Sequence, residues 1–268
     1  MKRIRQTGAV ALAILMMAGA AFGQVTKITG TIIRMNETEA KGDLRWKVRE
    51  KVYEVTTPTI TTEVPIAEVK EVRVPKPKAL DDAEKLIRDG NYSAAIPVLE
   101  KIAADYLMLT WDRPATRLLA IAYLQTNEPD KAIRVCETII RSDPTAAYLG
   151  EFAPIYWQAL LKKGNKSKVE ELMAQAIKSG DRLASAFALI MRGDMILATG
   201  DTNENAKKAL RDGYLRVVAL YTTEKAARAE ALYKAAKCFE KLGQIQRADS
   251  FRTELKKEFA GTEWAGRS

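Results

Sequence analysis

Histidine is absent from the 268 residues, and cysteine occurs only twice. The lack of histidine removes the commonest general base and the commonest metal ligand of proteins. Two cysteines cannot supply the four Cys or His ligands of a structural zinc site, and no glycine-rich phosphate loop is present. The sequence therefore predicts no catalytic residue, no metal site and no cofactor, and we expect a protein that is not an enzyme.

The two cysteines, Cys136 and Cys238, lie far apart in sequence, each on the apolar face of a predicted helix. A disulfide between them would suit an oxidising compartment, whereas two small buried residues are the simpler interpretation. We favour burial, because the two residues belong to repeats that are not neighbours in the array described below.

A block of charge of one sign is also missing. The chain has 43 Lys and Arg against 34 Asp and Glu, which gives a formal charge of +9. Three of the cations are Lys2, Arg3 and Arg5, and the others are spread along the chain. Nucleic-acid binding requires a concentrated basic surface, so the sequence predicts no nucleic-acid partner.

Near the N-terminus, the apolar run Ala9–Ala18 is about half the length of roughly 20 residues that a membrane-spanning helix needs. Residues 1–23 combine a basic start, this short apolar core and a small-residue end, which predicts a secretory signal cleaved after Gly23. The alternative is an uncleaved anchor helix. We expect an exported chain, periplasmic or secreted, with no transmembrane span once the signal is removed.

Residues 24–74 alternate β-branched and polar side chains, which predicts five short strands, with a first turn at residues 36–42. The strand count and the segment from Val64 to Val72 resemble SH3-like or Sm-like small β-barrels. Trp46 and Tyr53 lie on predicted strands, where they could stack on a ligand or fill the core. Residues 75–78, Pro-Lys-Pro-Lys, predict a short, stiff linker.

Residues 79–268 change to a helical period, and a short pattern recurs in them. Ala95, Ala132 and Val169 follow one another at intervals of 37 residues. A fixed period of about 20–50 residues is typical of repeat arrays. A turn residue precedes each of the three by five positions: Gly90, Asn127 and Gly164. The pattern predicts a mainly α protein, an α-solenoid of about five helix pairs preceded by a small all-β domain.

The repeat resembles the tetratricopeptide repeat (TPR), and the second repeat matches best, with Ala120, Tyr123, Asn127, Ala132, Cys136, Ile139 and Pro144. The fourth repeat is the least regular: 79 residues separate Val169 from Ala248, five more than two periods, and residues 201–205 are turn-prone. The ending LKKEFAGTEWAGRS resembles the closing segment of TPR proteins of bacterial envelopes. The resemblance implies that the chain binds other proteins in that setting.

In such an array the first helices of successive pairs line a concave groove that can hold a segment of another protein. The polar residues expected to face it are Arg117, Glu151, Gln158, Asp194, Tyr233 and Lys237. Each could clamp a partner or form part of a solvated face. Our first hypothesis is an exported, non-enzymatic adaptor or scaffold that binds another envelope protein in this groove.

The second hypothesis is that the β domain binds a small ligand or a polysaccharide through Trp46 and Tyr53. The helical array would then act as a spacer or form a homo-oligomer. Trp111, in the connection before the second repeat, could anchor a partner or staple its own helices.

Overall fold

The computed structural model of the protein describes residues 27–267, so the predicted signal at residues 1–23 lies outside the described residues. A small antiparallel sheet comes first and a long array of helices follows, as predicted. The strands are β1 (Thr29–Arg34), β2 (Glu39–Lys47), β3 (Val52–Thr56), β4 (Thr61–Pro65) and β5 (Val69–Arg73), with a 3-10 turn at Ile66–Glu68.

The helices form five successive pairs and a short final helix. The pairs are α1 (Lys78–Arg88) with α2 (Tyr92–Asp105), α3 (Asp112–Gln125) with α4 (Pro129–Ser142), α5 (Phe152–Lys162) with α6 (Lys166–Lys178), α7 (Arg182–Ala198) with α8 (Asn203–Ala209) and α9 (Leu215–Leu220), and α10 (Lys225–Lys241) with α11 (Ile245–Glu258). The last helix is α12 (Glu263–Gly266).

The sheet has the strand order β4-β3-β2-β1-β5, and every neighbouring pair is antiparallel. Its first turn is shorter than predicted, because β2 already begins at Glu39. Asn36 Oδ1 accepts hydrogen bonds from the backbone N and the hydroxyl of Thr38, and Glu37 adopts a φ of 65°. This side-chain turn reverses the chain within residues 35–38, so the residues from Glu39 onward are free to pair with β1.

The core of the sheet is completed by the connection between α2 and α3. Leu109, in that connection, is 1% exposed and packs among the buried residues of the sheet. The hydroxyl of Tyr53 donates to Met108 O at 3.0 Å, and Thr110 Oγ1 donates to Val72 O at 2.8 Å. The β domain and the first helix pairs therefore share one packed junction, in addition to the linker that joins them.

Four of the helix pairs turn in the same way. Gly90, Asn127, Gly164 and Gly243 have φ values of 76°, 60°, 79° and 71°. In each turn the next residue donates its backbone N–H to the carbonyl oxygen of the residue five positions earlier, for example Asn91 N to Leu86 O at 2.8 Å. This left-handed helix ending favours glycine and tolerates asparagine, so the predicted turn position is confirmed.

The small residues of the repeat pattern lie where the two helices of a pair pack together. Ala95, Ala132, Val169 and Ala248 are all 0% exposed. A larger side chain there would push the second helix away from the first, because helix axes pack only about 8–10 Å apart. The structure thus confirms the packing role that the 37-residue interval predicts for these positions.

The fourth pair departs from the pattern through a π-helical segment, Leu210–Tyr214, between α8 and α9. A Cβ added to Gly213 would lie 2.8 Å from Leu189 O, and one added to Gly193 would lie 2.6 Å from the Tyr214 ring. Two glycines therefore allow α7 and the π segment to approach closely. The turn predicted at residues 201–205 is shorter in the structure, because α8 already begins at Asn203, where Thr202 Oγ1 caps it by accepting from Asn205 N.

Candidate protein-binding groove

The first helices of the second to fifth pairs line a concave cavity of about 330 Å³, which we call the inner groove. Its apolar surface comes from Ile121 of α3, Ile155 of α5, and Leu183 and Phe187 of α7. Phe187 packs against the buried cores of both the early and the late helix pairs. The α7 helix thus joins the two cores at the base of the groove.

Three of the six predicted groove residues meet in this cavity: Arg117, Glu151 and Gln158. Arg117 Nε lies 3.1 Å from Glu151 Oε2, and the Glu151 side chain is 76% exposed. An exposed ion pair of this kind contributes little to stability, so both groups can exchange it for other partners. They come together because α3, which bears Arg117, stacks beside α5, which bears Gln158 and directly follows Glu151.

The final helix, α12, closes one end of the inner groove. Trp264 packs its ring on Tyr233 of α10, with 5.4 Å between ring centroids, and the Arg267 guanidinium lies 5.0 Å from the Trp264 ring centroid. Thr262 Oγ1 caps this helix by accepting from Ala265 N. Tyr233, the fourth predicted residue, is therefore covered by the chain's own tryptophan.

A neighbouring cavity of about 530 Å³ extends the concave face to the first helix pair. It shares Arg117, Ile121 and Arg267 with the inner groove, and it adds Glu84 of α1 and Tyr92 of α2. The concave face thus runs from the first pair to the C-terminal segment without interruption.

The remaining two predicted residues lie elsewhere. Asp194 accepts a hydrogen bond from the Tyr214 hydroxyl at 2.7 Å and forms an ion pair with Lys234 at 2.6 Å, between α7 and α10. Lys237 lies outside both concave cavities and pairs with Glu240 at 3.6 Å. Asp194 is directed toward α10 because a buried lysine there requires carboxylate partners.

The partner of Asp194 belongs to a buried charge cluster that the sequence pattern did not single out. Lys234 Nζ lies 2.7 Å from Glu230 Oε1, and Glu230 is itself buried at the edge of the inner groove. Desolvation alone would lower the pKa of Lys234, but the carboxylates of Asp194 and Glu230 outweigh it and raise that pKa. Burial raises the pKa of Glu230, and Lys234 opposes this rise. The four-residue spacing of Glu230 and Lys234 was the available sequence signal.

The predicted aromatic pair of the β domain lies within its core. Trp46 and Tyr53 pair across β2 and β3, with ring centroids 4.7 Å apart and a tilt of 52°. Tyr53 is 3% exposed, and burial with the nearby Asp112 charge raises its pKa to about 12. Trp46 is half-buried against the same core. The structure therefore places the Tyr53 ring where its face packs inside the protein.

Among residues 27–267 no group of three or more Asp, Glu or Cys side chains is arranged to hold a metal ion. Within the same residues no helix has the length and apolar character needed to cross a bilayer.

Family models of known proteins match two segments of the helical array. Models of the tetratricopeptide repeat family match residues 86–150 and residues 230–262. A solved structure of nearly identical TPR-like repeats from Podosopora anserina, described as those of a kinesin light chain, is 16% identical and covers 71% of this chain and 96% of its own, with a TM-score of 0.41. No curated protein sequence matches the chain.

The two matched segments correspond to α2–α4 with the end of α1, and to α10 with α11. The helices between the two matched segments are not matched. They comprise the third pair, in which Val169 replaces the usual alanine, and the fourth pair with its π-helical segment. The helical part of this chain is therefore a TPR-like solenoid, preceded by a small five-stranded antiparallel sheet.

Proposed function

We propose that the chain is an exported, non-enzymatic adaptor whose inner groove binds a segment of another envelope protein. The observation that carries the proposal is the inner groove itself, an apolar concave surface that bears the exposed Arg117–Glu151 pair. TPRs generally mediate protein–protein interaction, and helical-repeat arrays present such concave surfaces to their partners.

The chemistry of the groove favours a partner segment with both apolar and polar side chains. Ile121 and Phe187 offer apolar contact area, while the Arg117 guanidinium can donate to a carboxylate or to backbone carbonyls. Because Glu151 is largely exposed, a carboxylate of the partner can replace it beside Arg117 at a small energetic cost.

The β domain would supply a second contact surface. Its shared junction with α2 and α3 holds it in a defined position relative to the groove, which raises the effective concentration of the second contact. The five antiparallel strands support our assignment of this domain as an SH3-like small barrel. The three-part pattern of residues 1–23 supports export to the periplasm or outside the cell.

The alternative, ligand or polysaccharide binding through Trp46 and Tyr53, has less support. Tyr53 is buried and its hydroxyl already bonds Met108 O, so only part of the Trp46 ring is available for stacking. We retain it as the second candidate because part of the Trp46 side chain is exposed on the β domain.

Site-specific photo-crosslinking in the full chain tests the first proposal. A benzophenone amino acid replaces Gln158 in the inner groove, and the control replaces Gln246, which is exposed on α11. We expect an adduct with an envelope protein from the Gln158 position only, and we expect Arg117→Glu to suppress it. Equal adducts from both positions, or an adduct that Arg117→Glu leaves unchanged, would contradict the proposal.

A further inference from the structure

A second groove lies between α6 and α8 with α7 as its base, and we call it the outer groove. Its apolar floor consists of Met173 and Ile177 from α6 and Met195 and Ile196 from α7. Its volume is about 490 Å³, and it shares no residue with the inner groove. It is therefore a separate surface of the solenoid.

The floor of the outer groove has the character of a contact surface. Ile177 is 46% exposed, although a large β-branched side chain on a helix usually faces a core. Met173 and Met195 lie beneath it, 6% and 7% exposed, and their flexible, polarisable side chains can adapt when an apolar side chain packs on the floor. An apolar patch rimmed by polar residues typically marks an interaction site.

The rim of the outer groove is predominantly basic. Among the residues that line it, Lys166, Arg192 and Lys208 are cationic and Glu170 is anionic, and Glu204 pairs with Lys208 beside it. The ion pairs of the two lysines are long: Lys166 lies 3.9 Å from Glu170, and Lys208 lies 3.8 Å from Glu204. All four of these side chains are about half exposed or more, so the pairs are weak and the lysines are free to bind other anions.

The size and shape of the groove suit a helix. The α6 wall extends from Lys166 to Ile177, which at a rise of about 1.5 Å per residue is roughly 16 Å, or three helical turns. Met173 and Ile177 are four residues apart, and rows with this spacing interdigitate with the side-chain ridges of another helix.

We propose that the outer groove binds a short amphipathic helix of another protein, with its apolar face on the methionine and isoleucine floor and acidic side chains along the basic rim. The charges of the rim decide the sign of the partner's charge, because like charges across an interface repel. The chain's own first residues are excluded on the same ground, since they carry Lys2, Arg3 and Arg5. This site is additional to the inner groove and does not depend on it.

The test is a selection from a displayed library of 14-residue helical peptides, random in sequence, on the full chain. Peptides that also bind the Ile177→Asp chain are removed. The best remaining peptide is then titrated by fluorescence anisotropy against the unaltered chain, Lys208→Glu, and Arg192→Glu with Lys208→Glu. The matched control is Lys256→Glu with Lys257→Glu on α11, which are exposed and distant from the groove in sequence.

We expect selected sequences with apolar residues at helical spacing and net negative charge, and a Kd that rises at least tenfold in the double charge reversal and severalfold in Lys208→Glu. The control should change Kd less than twofold. Neutral or basic selected sequences, or the absence of any peptide that distinguishes the unaltered chain from Ile177→Asp, would overturn the proposal. A dimer in sedimentation that Ile177→Asp dissociates would replace the proposed partner with a second copy of the chain.

Discussion

The indole Nε1 of Trp111 donates a hydrogen bond of 2.8 Å to the carbonyl oxygen of Val74, the residue that follows β5. Trp111 belongs to the connection between the first two helix pairs, and its ring packs against the cores of both the helices and the sheet. The sequence suggests that Trp111 either anchors a partner or staples its own helices, and these contacts confirm the staple. The same connection sends Leu109 into the sheet, so the β domain is built partly from the repeat array.

The first prediction concerns this junction. Leu109→Ala should lower the free energy of unfolding by about 2–5 kcal/mol, because it leaves a cavity in the core of the sheet. The matched control is Leu107→Ala in the same connection, where the side chain is 42% exposed and the expected change is within about 0.5 kcal/mol. Urea unfolding followed by circular dichroism measures both. Equal losses in the two variants would show that Leu109 does not hold the junction.

The second prediction concerns the close approach of α7 and the π-helical segment. Gly213→Ala should destabilise the chain by about 1–3 kcal/mol, because the new methyl group would meet the backbone oxygen of Leu189. Gly261→Ala is the control, since a Cβ there has no neighbour within 4 Å. Thermal unfolding compares the two variants. If Gly213→Ala unfolds at the same temperature as Gly261→Ala, the helices have room that the structure does not show.

The third prediction separates the members of the buried charge cluster. Lys234→Met removes the only cation between Asp194 and Glu230 and should cost about 3–5 kcal/mol at pH 7. Glu230→Gln keeps an oxygen that accepts from Lys234 and leaves the Lys234–Asp194 pair intact. It should therefore cost about 1 kcal/mol or less.

The pH dependence of Lys234→Met has a definite sign. Burial already raises the pKa of Glu230, and the variant removes the lysine that opposes this rise. A carboxyl group whose pKa is higher in the folded chain than in the unfolded chain binds more protons when folded, so stability rises as pH falls toward the folded pKa. The stability difference between the variant and the unaltered chain should therefore narrow from pH 7 toward pH 5 in denaturant titrations. If the stability difference widens from pH 7 toward pH 5 instead, burial does not raise the pKa of Glu230 in the way this prediction assumes.

The fourth prediction concerns the thiols. Cys136 and Cys238 are free and buried, and desolvation raises the pKa of Cys136 to about 12 and that of Cys238 to about 11. Both thiols should therefore react slowly with an aromatic disulfide reagent in the folded chain and rapidly in denaturant, with two equivalents released. Fast labelling of the folded chain, or fewer than two equivalents after unfolding without reductant, would contradict the buried, unpaired state.

The helix pairs and their turns could be predicted because they depend on local physical chemistry. A left-handed helix ending favours glycine or asparagine, so Gly90, Asn127 and Gly164 were recognisable in the sequence at a common interval. The same interval places Arg117 on α3 and Gln158 on α5, with Glu151 directly before α5, and these two first helices stack side by side. The repeat interval along the sequence therefore correctly predicts that three of the six candidate groove residues lie in the cavity.

Asp194 and Lys237 show where the period is insufficient. It assigns both to first helices, but Asp194 turns toward Lys234, a residue 40 positions later on a different helix. The orientation of Asp194 follows from the cost of leaving a buried ammonium without a carboxylate. The repeat interval also could not predict that Trp264 covers Tyr233, because this contact depends on where the C-terminal segment crosses the concave face.

The sequence by itself determined the absence of histidine chemistry, the small β domain and the repeat array with its turns, since each is encoded in composition or in spacing along the chain. Only the tertiary structure decided that Leu109 enters the sheet, that Lys234 holds two carboxylates, and that a basic, methionine-floored groove opens beside α7. The physical reason is that a period reports which face of an element is apolar, whereas contacts between distant segments decide what that face meets.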